Sequence, residues 1–196
     1  MRTEWSTEAL GYSFGSVCVV LVGAVLLGFF FSYIRQFAAR HNPLGANLIN
    51  YGTIPGVMHH ELSHALLAFL TGAKIQEIKL FQFNHSSGAL GYVSYATRGN
   101  FVLQSIQKVL ASIAPILCGF ISCSLLWYYV RPMTADNILA TVLFYYFFVC
   151  IILHMSLSKQ DITVMKSGLL VMVILLTILF YVAQIDLLTP IITTLG

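Results

Sequence analysis

The sequence predicts an all-α membrane protein, a polytopic helical bundle of about five spans with a short β-hairpin beside its candidate site. Three observations carry this reading. Of the 196 residues 58% are hydrophobic and only 9% charged, with a mean hydropathy of +0.85, well outside the range of soluble domains. Several apolar runs are long enough to cross a bilayer. Between them, one stretch changes to short alternating segments around a turn.

The first apolar run, Gly11 to Tyr33, is 23 uncharged residues closed by Arg35 and Arg40, enough to cross roughly 30 Å of hydrocarbon at about 1.5 Å per residue. It is too long for a signal-peptide core and lacks a small-residue cleavage site, so it reads as a retained span. A weaker stretch follows, Leu44 to Ile54 with Asn47 and Asn50, expected to be a half-buried loop or broken helix. Pro55 then suits the first turn of a helix reaching Leu70, with Gly72 just past its end.

From Ala73 to Asn100 the pattern is that of a hairpin: Ile75, Ile78, Leu80, Phe81 and Phe83, a turn at Asn84 to Gly88, then Leu90, Tyr92, Val93 and Tyr95. Phe101 to Val130 begins amphipathic and becomes a span from Val109, kinked at Pro115 and stopped by Arg131-Pro132. Ile138 to His154 is apolar and aromatic and gives way to a polar break, Ser156 to Asp161. A last apolar run covers Ser167 to Ile185. These elements divide into an N-terminal span and loop (1–43), a core (44–168) and a C-terminal span and tail (169–196).

Charge sets the orientation. With the N-terminus cytoplasmic, Arg2, Lys74, Lys79, Arg98, Lys108, Lys159 and Lys166 fall inside and Arg35, Arg40 and Arg131 outside, seven against three. The net charge of +3 is small and scattered, which excludes a nucleic-acid partner; the lipid bilayer is the expected surroundings. Cys18, Cys118, Cys123 and Cys150 form no C-x-x-C pair, so free buried thiols are expected.

The chemistry is concentrated in His60-Glu61-Leu62-Ser63-His64. Residues four apart share one helix face, so His60 and His64 can both direct a ring nitrogen at one ion, with Glu61 beside them. Three ionisable residues within five positions of a membrane helix are costly without such a purpose. A catalytic zinc takes three protein ligands. Glu77, His85, Asp136, His154, Asp161 and Asp186 remain as sources of the third, and no Glu follows Glu77. Asp161 is the choice, because it stands in a polar break within an apolar region, with His154 second.

The run Pro55 to Ala65, followed by Thr71-Gly72-Ala73-Lys74, resembles the site-2 protease family of intramembrane zinc metalloproteases, particularly its small bacterial-type members. The resemblance implies His60, His64 and Asp161 as zinc ligands and Glu61 as catalytic base. Gly88 to Val93 is similar to the family's strand beside the active site, which implies Gly91, Tyr92 and Val93 as substrate-binding residues. The break departs from the family pattern: no Pro precedes Asp161, and Ile162 rather than Gly follows it. The expected substrate is a transmembrane protein or peptide, unwound and captured by strand addition, and the location a bacterial cell membrane. The alternative is an inactive zinc-containing pseudoprotease that holds partner spans, against which Glu61 argues. Six histidines with one paired box are too few for a di-iron oxygenase.

Overall fold

A computed structural model of the chain describes residues 6–40, 51–82 and 90–195. Most of the weak stretch from 44 to 54, with Asn47 and Asn50, lies outside these residues, as do Arg2 and the turn from Asn84 to Gly88 with His85. The described elements are α1 (Thr7–Arg40), α2 (Ile54–Leu70), β1 (Lys74–Lys79), β2 (Tyr92–Ala96), α3 (Phe101–Leu125), α4 (Ile138–His154), α5 (Lys159–Val182) and α6 (Leu188–Leu195). The protein is a helical membrane-type bundle with one small antiparallel hairpin. Three stretches are long and apolar enough to cross a membrane, Thr7–Ile34, Phe101–Thr134 and Lys159–Val182. The two further helices of the expected five, α2 and α4, have 17 residues each.

Local chemistry explains the boundaries. Pro55 lies in the first turn of α2, and the helix ends on Gly72 at φ +85°, with Gly72 N–H donating to Phe69 O and Ala73 N–H to Ala68 O, both at 2.9 Å. Asn100 and Asn137 cap α3 and α4 by accepting from the amides of Leu103 and Ala140. The expected stop at Arg131-Pro132 is softer than the sequence suggests. α3 continues through a π-helical turn, Leu126–Val130, into a 3-10 turn, Arg131–Thr134, where Pro132 occupies an opening position that needs no amide donor. Pro115 lies inside α3 and removes one helical hydrogen bond, a loss usually worth about 3 kcal/mol or more.

Packing turns α2 inside out relative to a soluble helix. Val57, Glu61, His64, Ala65 and Ala68 are buried, whereas Met58, Leu62, Leu66, Phe69 and Leu70 are exposed, as lipid contact demands. The buried face rests on α3 and α4, α3 packs in turn on α5, and α1 lies along α5. Small residues permit the close approaches. Gly168 of α5 faces the Ser105 backbone, Gly119 of α3 receives Met155, and Gly28 of α1 receives Leu157. The segment between α4 and α5 is therefore seated in two glycine pockets, and the first span contributes one of them.

In the hairpin Lys74 pairs with Ala96, Ile75 with Tyr95, Glu77 with Ser94, Ile78 with Val93 and Lys79 with Tyr92, with an irregularity between Ile75 and Glu77. Both strands lie against α2. Gln107, fully buried, accepts from Arg98 N–H at 2.8 Å and donates to Thr71 O at 3.0 Å, joining the end of α2, the hairpin exit and α3. The C-terminal α6 docks on α1, where Ser16 Oγ accepts from Leu187 N–H at 2.9 Å.

Candidate metal centre

His60 and His64 stand one turn apart on α2, their rings 4.7 Å between centroids and inclined at 80°. His60 Nδ1 lies 2.7 Å from the carbonyl oxygen of His154, and His64 Nδ1 lies 2.7 Å from that of Ala111. A carbonyl only accepts, so both Nδ1 atoms carry a proton, and in the neutral form of each ring Nε2 presents a lone pair. Those two Nε2 atoms face one another at 3.1 Å. Asp161 Oδ1 lies 3.5 Å from His64 Nε2.

Two lone pairs and a carboxylate converging in a largely buried place repel unless a cation lies between them. The spacings fit one: two atoms each about 2.0 Å from a tetrahedral ion stand about 3.3 Å apart. Among the described residues, His60, His64 and Asp161 are the only group of three His, Cys, Asp or Glu side chains able to hold a metal, with their donor atoms within 4.8 Å of one another.

The position of Asp161 differs from the expected one. The chain breaks over 155–158, and Asp161 already belongs to the first turn of α5, in a capping box: Ser158 Oγ accepts from Asp161 N–H at 3.1 Å, and Asp161 Oδ2 accepts from Ser158 N–H at 2.7 Å. Its two oxygens are thus divided, Oδ2 to the cap and Oδ1 to the histidines. Ser158 is also the residue whose amide would have continued α4 by donating to His154 O. Turned toward Asp161 instead, it leaves that carbonyl to His60.

Of the other candidate ligands, His154 takes part through its backbone rather than its ring; its imidazole Nδ1 is 3.0 Å from Cys150 O. Glu77 is half-exposed and pairs with Lys79 at 3.1 Å, Asp136 is exposed, and Asp186 caps α6 by accepting from Leu188 and Thr189 amides. His85 lies outside the described residues. His59 points to another face, 2.9 Å from Ser122 Oγ.

Glu61 is 9% exposed and lies under the start of β2. Gly91 is the reason it fits: a methyl group there would stand 2.8 Å from Glu61 Cγ and from the carbonyl oxygens of Lys79 and Leu80. Gly91 therefore lies against Glu61, and Tyr92 and Val93 follow it as the first residues of β2. Tyr95, two residues further on, lies in the strand that the sequence marks out, though not among its expected substrate-binding residues. Burial first, and the Asp161 carboxylate second, push its hydroxyl up to about 12, so it remains a protonated phenol throughout the physiological range. Its signal lay in strand alternation, which puts Val93 and Tyr95 on one face.

A family model described as peptidase M50B-like matches residues 22–196. The chain belongs to this family. No curated protein and no solved structure shows a match. For a peptidase M50B-like protein a membrane metallopeptidase is the implied activity, and the H-E-x-x-H helix and the carboxylate of α5 bring together side chains that could hold a metal ion. The match begins within α1, so it takes in the second half of that helix and runs to residue 196.

Proposed function

We propose that the protein is an intramembrane zinc metalloprotease that hydrolyses peptide bonds in or near transmembrane segments of membrane proteins. The supporting observation is the meeting of the two Nε2 lone pairs at 3.1 Å with Asp161 Oδ1 beside them, on donors typical of zinc. His60, His64 and Asp161 would hold the ion. Once bound, it supplies a water acidified toward about pH 7 and polarises the scissile carbonyl.

The remaining steps belong to the chain. Glu61 accepts the proton of the attacking water at a carboxylate oxygen and returns it to the leaving amide nitrogen. Gly91, Tyr92 and Val93 bind the substrate as an added strand, which exposes a peptide bond that a helix would keep hydrogen-bonded. Burial of Glu61 and His64 keeps bulk water from the reacting atoms. The seven-to-three distribution of Lys and Arg supports a cytoplasmic N-terminus and hairpin, and the resemblance to small bacterial-type members supports a bacterial cell membrane.

Two measurements on the purified protein in lipid test the reading: zinc content by elemental analysis, and cleavage of a single-span reporter carrying helix-breaking residues. Glu61→Gln is expected to keep one zinc and lose cleavage at least 1,000-fold. Cleavage that survives in Glu61→Gln removes the mechanism. Zinc without cleavage in the wild type, over a panel of reporters, would make the protein a binding pseudoprotease.

A further inference from the structure

A helix carbonyl in a membrane normally accepts from the amide four residues on. For Ala111 that residue is Pro115, which has no N–H. Both residues are fully buried, with Ala111 at 0% exposure, so neither lipid nor bulk water can satisfy the orphaned oxygen. Its donor comes from another helix: His64 Nδ1, at 2.7 Å. Ala111 also packs against Ala68 of α2, so small side chains on both helices permit this approach.

We propose that Pro115 is a positioning residue for the metal centre. By withholding an amide hydrogen from the Ala111 carbonyl it reserves that oxygen for His64. The resulting bond keeps the proton on Nδ1, holds the ring plane, and directs the Nε2 lone pair at His60 and Asp161. The same device operates at His60 by other means, since the amide that would have taken His154 O donates to Asp161 Oδ2 at 2.7 Å. Each histidine is thus oriented by a carbonyl that a helix interruption has released, one through a proline and one through a capped break. Partners of this kind commonly tune metal affinity 10- to 100-fold.

The inference rests on the metal-binding reading and deepens it. Zinc affinity is measured by competition with a chromogenic chelator on the full-length protein in lipid nanodiscs. Three chains are compared with the wild type: His64→Ala, Pro115→Ala, and a chain with L-lactic acid incorporated at position 115, which lacks both the ring and the N–H. Pro115→Ala restores the competing amide and is expected to weaken zinc binding 10- to 100-fold, whereas the lactic acid chain should bind within about threefold of wild type. Wild-type affinity in Pro115→Ala, or equal losses in both position-115 chains, overturns the proposal. If Pro115→Ala does not fold, Pro115→Ser, which restores the same amide, takes its place: a tenfold loss in it with near-wild-type affinity in the lactic acid chain upholds the proposal, and equal affinities in the two overturn it. Undiminished affinity in His64→Ala defeats the metal-binding reading itself, which separates the two failures.

Discussion

Glu61 and Asp161 are the two carboxylates at the site, and their surroundings separate their tasks. Glu61 is buried beneath Gly91 with the histidines beside it, whereas Asp161 has one oxygen committed to the Ser158 amide and the other aimed at His64. Substitutions should divide accordingly. Asp161→Ala is expected to lower zinc affinity at least tenfold in a chelator titration, and Glu77→Ala, whose carboxylate pairs with Lys79, should leave it unchanged. Ser158→Ala removes the hydroxyl cap but retains the amide that holds Oδ2. It should lower stability by about 1 kcal/mol in denaturant unfolding and change zinc affinity less than threefold. The grouping of His60, Glu61 and His64 was legible because helical spacing is a local property. Asp161 was reached by counting the remaining acids. The carbonyls of Ala111 and His154 could not be read, because every residue type carries one and only contact shows which is used.

At the scale of elements, the hairpin and α2 meet at a glycine. The Gly91 backbone passes so close to Glu61, Lys79 O and Leu80 O that no Cβ fits without displacing two backbone carbonyls and the carboxylate stem. Gly91→Ala is therefore expected to reduce turnover of a reporter at least tenfold while elemental analysis still finds the wild-type zinc content. Loss of zinc and turnover together would place Gly91 in the support of the metal donors instead. Element existence and type were legible for every described helix and strand except α6, whose eight residues follow the last expected run and are too few to show a helical period: apolar runs, Pro55, Gly72 and the alternation of β2 mark their own ends by local rules. The break was less so. Polarity placed it at Ser156 to Asp161, but backbone hydrogen bonding placed it over 155–158, because a capping box extends α5 backward through three polar residues. The π and 3-10 turns after α3 carry no comparable mark.

For the whole molecule, α1 is part of the structure rather than an appendage. Gly28 receives Leu157 from the break, Val25 joins the cluster of Val109, Met165 and Met172, and Ser16 holds the amide of Leu187. Gly28→Leu would meet Leu157 and Ile116, and is expected to displace the break and lower both zinc affinity and thermal stability; a protein unchanged in both would show that α1 only rides on the bundle. Accessibility labelling of single cysteines in intact cells tests the orientation: a cysteine near the N-terminus and one at Gln76 should react from the same, cytoplasmic, side. By itself the sequence determined that the chain is a membrane protein, where its hairpin and all of its helices but the short α6 lie to within a few residues or a turn or two, and that an H-E-x-x-H face seeks a third partner, since composition and short-range spacing carry those facts. Only the tertiary structure decided which residues meet that face, which carbonyls orient its histidines, and how a proline fifty-one positions from His64 comes to serve it. Those are contacts between distant segments, set by how small residues let helices approach, and no local pattern encodes them.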